Sequence, residues 1–295
     1  MTGEGGASRL SVIIPAHNEA GTIAACLESV LASGIAEDLD VIVAGNGCTD
    51  ATTAIARGVS DRIRVLESAI AAKHAALNAG DDIALAPSRA YLDADTIVSD
   101  GALEAVALLL EQHGVLAVSP EVRFDDTRCS WPARQFHRIW RQSPYFATTT
   151  LGAGFYALSA EGRRRFDRFP PVVGDDYFVA GLFAAHERRT AVGHTYTPLL
   201  PTTLRSMLHV HIRHYGAHVQ FEEWWSGHGN GPLPGHAPDG YGWLRGAMRS
   251  PANWPGVVLY AAVKALSILL GRRKHARQGM KRWNRDEGGG RAAQA

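Results

Sequence analysis

Ser11-Val12-Ile13-Ile14-Pro15-Ala16-His17-Asn18-Glu19 begins the ordered pattern of this chain. Three of its first four residues are β-branched and apolar, which reads as a buried strand running into a turn. Ile23, Cys26, Leu27, Val30 and Leu31 follow at i, i+3, i+4, i+7 and i+8, one apolar stripe of a helix. Gly34 is a natural stop for it. Val41-Ile42-Val43-Ala44 is a second apolar strand, ending in Gly45-Asn46-Gly47. Thr49 or Asp50 can cap the next helix, to about Arg57. Strand, helix and strand in that order make a βαβ unit, whose two strands lie parallel.

The alternation continues outward. Ile63 to Leu66 is a shorter strand, and Ile70 to Ala79 is helical by composition, closed by Gly80. A strand then leads to Tyr91-Leu92-Asp93-Ala94-Asp95, a strongly apolar helix covers Ala102 to Gln112, and a strand covers Val115 to Val118. The fold class is therefore α/β, a doubly wound and mainly parallel sheet. In such sheets ligands bind beyond the C-terminal strand ends. Pro15 to Glu19, Asn46, Asp93 and Asp95 all belong there. On extended backbone Asp93 and Asp95 face one spot. Two hard oxygen ligands there suit Mg²⁺ or Mn²⁺, a cation that substrate phosphates can share; a carboxylate pair also closes many loops for solvation alone.

After about residue 120 the pattern changes. Residues 121 to 150 are rich in Arg and aromatic residues without clear periodicity. Leu151 to Leu158 is a Gly-containing loop entering a strand, and Gly174-Asp175-Asp176 begins a helix through Ala185. The expected organisation is a flexible N-terminus (1–9), a ligand-binding half (10–120), a second half of the same domain (121–225), a Gly/Pro-rich loop (226–256) and an apolar helix with a basic tail (257–295).

The bulk properties restrict the functional class. The chain has 295 residues, 46% hydrophobic and 20% charged, with formal net charge +1, so no global field attracts nucleic acid. Three scattered cysteines, Cys26, Cys48 and Cys129, form neither a disulfide framework nor a metal spacing and fit a reducing cytosol. Met1 to Arg9 has no apolar secretory core. From Lys264 onward nine Lys/Arg stand against two acidic residues, leaving net −6 for the rest. Val257 to Leu270 is nearly continuously apolar but short of the ~20 residues that span a bilayer. With Arg272, Arg273, Lys274 and Trp283 beyond it, this segment reads either as a packed helix with a solvated tail or as a helix in a membrane interface. The expected location is cytoplasmic, at the inner face of the membrane where that second reading holds.

Several ordered motifs together resemble a family 2 glycosyltransferase of the GT-A fold, over roughly residues 10 to 215. Val12 to Glu19 resembles the family's nucleoside loop, with His17 where Tyr is common. Gly45-Asn46 stands where many relatives carry two Asp residues, and Asn46 can both donate to and accept from a base edge. Lys73-His74-Ala75-Ala76-Leu77-Asn78-Ala79-Gly80 resembles the family's Lys-x-x-Ala-Leu-Asn-x-Gly. Asp93-Ala94-Asp95 resembles its metal motif, and Gly174-Asp175-Asp176 its Glu-Asp motif, which supplies the base. Arg205 to Gly216 resembles an Arg-rich loop over the donor diphosphate.

The resemblance implies an inverting, metal-assisted transferase moving a sugar from a UDP- or GDP-sugar to an acceptor, be it a small molecule, a glycan or a lipid-linked group. Asp176 and Asp175 are its implied catalytic residues. Pro15, His17, Glu19, Asn46, Lys73, Asp93, Arg205 and Arg213 line the donor site. Asp95, Asp93, His209 and His211 are the metal candidates for Mn²⁺ or Mg²⁺. A sugar-1-phosphate nucleotidyltransferase and a catalytically silent binding module are the rivals; the first is disfavoured because Ser11 to Glu19 lacks a basic Gly-rich loop, and the second because Asp95 and Asp176 are both present.

Overall fold

The computed structural model describes residues 9–33, 35, 38–146, 151–228 and 242–278. Its elements are β1 (Leu10–Ala16), α1 (Ile23–Leu31), β2 (Leu39–Asn46), α2 (Thr52–Val59), β3 (Ile63–Ser68), α3 (Lys73–Ile83), β4 (Arg89–Leu92), β5 (Thr96–Val98) and α4 (Ala102–Leu110). They continue with β6 (Ala117–Val122), α5 (Trp131–Trp140), β7 (Phe155–Leu158), α6 (Ala160–Arg163), α7 (Asp175–Leu182), β8 (Arg188–Pro198), α8 (Leu204–Gly227), α9 (Leu244–Met248) and α10 (Trp254–Gln278). Gly34, residues 229–241 and the chain beyond 278 fall outside the described residues, and the expected 226–256 loop holds α9 and the start of α10.

The described strands form one sheet in the order β3-β2-β1-β4-β7-β6-β8-β5. β3, β2, β1 and β4 run parallel, as the βαβ reading requires. Antiparallel β7 sits between β4 and β6, and β6 pairs in parallel with β8. The sheet is buried on both faces because β1 and β2 are apolar at successive residues. Leu10, Val12 and Ile14 point to one face with α1 and α4; Ile13 and Ile42 point to the other, with Leu77 of α3. Each such fully buried side chain contributes about 1.5–3 kcal/mol.

Gly80 does not stop its helix. It lies inside α3, and a Cβ there would come within 2.5 Å of Ile13 Cγ2. The glycine lets α3 settle directly on β1, which fixes where the first residue of α3, Lys73, sits relative to the strand ends. A third apolar cluster joins α5, α8, α9 and α10 through Phe136, Met207, Ala247 and Tyr260. The segment 205–216, expected as a loop, is the first half of the 24-residue helix α8. Thr203 caps that helix by accepting from Ser206 N–H at 3.1 Å.

Candidate active site

Two loops meet at the ends of β1 and β2. Asn18, at φ 56°, accepts from Thr49 N–H at 2.8 Å. Ala20 N–H donates to Asp50, and Asp50, one residue before the N-cap Ala51, also accepts from Thr52 N–H. Glu19 N–H donates to Thr52 Oγ1 at 2.7 Å, and its buried carboxylate accepts from Thr22 Oγ1. Pro15 is buried within β1 opposite Ala44. The His17 ring, also buried, places Nδ1 2.6 Å from the Asn46 carbonyl and so holds the second loop against the first.

Asn46 is 1% exposed, yet neither its side-chain oxygen nor its nitrogen has a hydrogen-bond partner. An orphaned buried amide costs about 1–3 kcal/mol. A ligand edge carrying a donor beside an acceptor would recover that cost.

The acidic centre lies beside these loops. Lys73 Nζ is 2.7 Å from Asp93 Oδ1 and 2.9 Å from Asp175 Oδ1. One ammonium thus joins the end of β4 to the start of α7. Burial opposes its charge, but Asp175 and Asp93 more than reverse that and keep the Lys73 ammonium protonated. Asp175 is buried and also accepts from Tyr156 Oη at 2.8 Å. It is therefore a fixed strut between Lys73 and the sheet.

Asp176 is held differently. It accepts from the backbone N–H of Tyr177 at 2.9 Å. Burial and the charge of Asp175 push its carboxyl up to about 7. Asp95 is raised likewise to about 7, by burial and by Asp93, with Lys73 and Arg213 opposing. A carboxyl poised near neutrality accepts a proton in the physiological range.

Gly152-Ala153-Gly154 closes the floor of the site with φ of 139°, 54° and 106°. Gly154 accepts from Asp93 N–H at 2.9 Å, and Gly152 accepts from Tyr196 Oη at 2.8 Å. A Cβ on Gly152 would meet Tyr145 Oη at 2.7 Å and the Asp176 side chain at 2.8–2.9 Å. Left-handed backbone clustered in this way is typical of sites that hold strain for a purpose.

The helical register of α8 decides what its basic residues do. His211 is buried, four residues after Met207, with its ring 4.9 Å from Phe136; burial and Lys264 hold its imidazole well below the ordinary value. His209 and Arg205 are exposed. Arg213 acts on Asp95, and it is His214 that acts with Asp93 and Lys73. His214 is itself exposed on α8, and partial desolvation with the charges of Arg213 and Lys264 lowers its imidazole from the ordinary value. His209 faces outward and His211 packs toward α5; helical spacing from the Thr203 cap separates 211 from 214. The sequence motifs left Tyr156 and the Gly152–Gly154 turn unassigned.

The donor chemistry fits a divalent cation. Asp95 and Asp93 are adjacent carboxylates whose mutual repulsion is relieved only in part by Lys73 and Arg213. Among the described residues no three acidic, His or Cys side chains stand preformed as a cage.

Comparison with known proteins agrees with this architecture. The glycosyl transferase family 2 model matches residues 11–167. The uncharacterized glycosyltransferase YibD of Escherichia coli (strain K12) is 26% identical over 140 residues, 46% of this chain and 38% of that protein. The chain thus matches well under two thirds of that relative's length. Among solved structures, the mannosyltransferase PcManGT from Pyrobaculum calidifontis, in complex with GDP-Man and Mn²⁺, superposes with TM-score 0.58 at 22% identity, covering 92% of this chain and 81% of that one. Residues 1–349 of TarS from S. aureus give TM-score 0.51 at 15% identity, covering 95% and 94%. The architecture is the GT-A fold. The chain belongs to glycosyl transferase family 2.

Proposed function

We propose that this protein is an inverting, metal-assisted glycosyltransferase that moves a sugar from a nucleoside-diphosphate sugar, UDP- or GDP-linked, to an acceptor hydroxyl. The observation that carries the reading is the Lys73 bridge from Asp93 to Asp175, with Asp95 and Asp176 both poised near neutrality around it. Donor-side and acceptor-side carboxylates share one cation. That arrangement couples binding of a diphosphate to readiness of a base.

The nucleoside lies against Pro15, His17 and Glu19, and the orphaned amide of Asn46 meets the base edge. Lys73 and Arg213 supply fixed positive charge toward the diphosphate. Asp95 and Asp93 are the residues that would hold Mn²⁺ or Mg²⁺, with His214 of α8 within electrostatic reach of Asp93. Such an ion supplies positive charge against the departing diphosphate.

Asp176 takes the proton of the acceptor hydroxyl as the acceptor oxygen attacks the anomeric carbon. Asp175, tied by Tyr156 and Lys73, keeps Asp176 in place and its basicity high. Arg205, at the exposed start of α8, carries no step. The relative solved with GDP-Man and Mn²⁺ supports the donor class through fold alone.

The test is a thermal-shift screen of UDP-, GDP- and TDP-sugars with and without Mn²⁺, followed by product analysis with the best donor. Nucleoside diphosphate release with inversion at the anomeric carbon supports the reading. Pyrophosphate release would instead make the protein a nucleotidyltransferase, and retention of configuration would remove Asp176 from its role.

A further inference from the structure

Helix α10 presents two apolar faces, and only one of them is packed. The inner face is narrow. Gly256 abuts α5, where a Cβ would come within 2.5 Å of the Gln135 carbonyl, and Gly271 abuts Tyr215 of α8. Tyr260 stacks on Phe136 at 5.2 Å, Val263 is buried, and Ser267 donates to its own helix at Val263 O. Small residues at 256 and 271 bring the helix close to its neighbours, and they fix which side faces out.

That outer side carries Trp254, Val258, Leu266 and Leu269 at 57%, 67%, 44% and 49% exposure, with exposed Ala261, Ala262 and Ala265 between them. The spacing keeps them in one stripe along the helix, about 24 Å long at 1.5 Å per residue. Met248 of α9 extends the stripe at its Trp254 end, where Trp254 Nε1 donates to the Met248 carbonyl at 3.0 Å. A water-facing stripe of this length needs a partner.

The surrounding charge says which partner. Arg134 and Arg138 of α5, Arg245 and Arg249 of α9, and Arg272 and Arg273 of α10 are all exposed. In the sequence, ten Lys/Arg and no Asp or Glu lie between Asp239 and Asp286. An apolar stripe flanked by these cations complements a sheet of anionic headgroups over hydrocarbon. A second copy of this chain would set these cations against one another. Pro251–Arg273 is by length and composition enough to cross a bilayer, but the inner face of α10 is committed to α5 and α8, which favours a helix lying along the interface.

We propose that the outer face of α10, with the flanking arginines, is a docking surface for an anionic lipid bilayer. The helix sits in the headgroup layer, Trp254 and Val258 at one end and Leu269 at the other, while the basic residues engage lipid phosphates.

The test is cosedimentation of the full chain with vesicles of phosphatidylcholine alone and of phosphatidylcholine with one third phosphatidylglycerol. The wild-type chain should partition at least ~10-fold more strongly onto the anionic vesicles, and raised salt should reverse this. The variant V258E/L266E/L269E should lose binding ~100-fold, with an unchanged circular dichroism spectrum and unchanged nucleotide binding, since all three side chains are exposed. Arg272→Gln with Arg273→Gln should lower the anionic preference and spare residual binding to phosphatidylcholine. Failure of the wild-type chain to bind anionic vesicles overturns the proposal. So does equal binding by the triple-Glu variant, or a concentration-dependent dimer in sedimentation equilibrium that the same three substitutions abolish. None of these outcomes bears on the transferase reading, because nucleotide binding is read separately.

Discussion

Gly152→Ala is a small change with a large expected effect. At φ 139° an L-residue is strained, at about 1–3 kcal/mol. The new methyl would also stand 2.7 Å from Tyr145 Oη, 2.8 Å from Asp176 Cβ and 2.9 Å from Asp176 Oδ2. Ordinary contacts begin near 3.4 Å, so Asp176, Tyr145 or the turn must yield by more than half an ångström. Stability should fall by about 2–3 kcal/mol, the strain together with part of the overlap. Displacing the base by that much should lower kcat by about 100-fold. The nucleoside pocket around Asn46 and the Asp95 carboxylate do not touch the added methyl, so nucleotide affinity should hold within threefold, roughly 0.6 kcal/mol. Urea denaturation reads the first quantity, a nucleoside-diphosphate release assay the second and calorimetric nucleotide titration the third. A kcat for the Gly152→Ala variant within threefold of the parent would refute the placement of Asp176 at the reacting centre. A fall in nucleotide affinity as large as the fall in kcat would show that the turn serves the donor instead.

Lys73→Met leaves buried Asp175 without its cation and should cost about 3 kcal/mol in urea denaturation, with half-exposed Asp93 adding little; a loss under about 1 kcal/mol contradicts the bridge. Asn46→Leu removes two orphaned polar atoms, so the ligand-free protein should be as stable or more so. The same variant should bind UDP and GDP at least ~10-fold more weakly by calorimetry, and unchanged affinity for both places the base elsewhere. Asp176 has a carboxyl raised from 3.8 to about 7, so its contribution to metal-free stability is full below the unfolded value and is lost as pH rises through about 7. Relative to Asp176→Asn, the parent should therefore match the variant's denaturation midpoint near pH 4 and fall below it near pH 8; a constant difference across that range contradicts the raised carboxyl.

Much of this was legible in the sequence because the relevant signals are local. The β-branched runs at 11–14 and 41–44 have one physical solution, a strand buried on both faces, and the stripe from Ile23 to Leu31 fixes the helix between them. The placement of Asn46, Asp93 and Asp95 on one edge followed from that order, whereas Lys73 and Asp176 entered only through the family resemblance. What escaped depends on packing between distant segments. Gly80 looks like a helix stop until the contact with Ile13 is known. The helix at Trp131–Trp140 has its buried positions, Ala133, Phe136, His137 and Ile139, diluted by arginines and aromatics, so its periodicity was not read. A run of four histidines between 209 and 218 carries no sign of which one a long helix buries, and only His211 of the first three is buried. The positive φ angles at Gly152, Ala153 and Gly154 belong to a turn whose geometry is set by Tyr196 and Asp93, both far away in sequence.

Asp176→Asn, assayed with the best donor and Mn²⁺, tests the central claim most directly. The asparagine keeps the size of the side chain and removes its basicity. Nucleoside-diphosphate release should fall by about 1,000-fold or more, within the 10²–10⁴-fold worth of a general base, while nucleotide affinity stays within threefold, about 0.6 kcal/mol. Turnover within about tenfold of the parent would contradict the assignment of Asp176 as the base and with it the mechanism built around the Lys73 bridge.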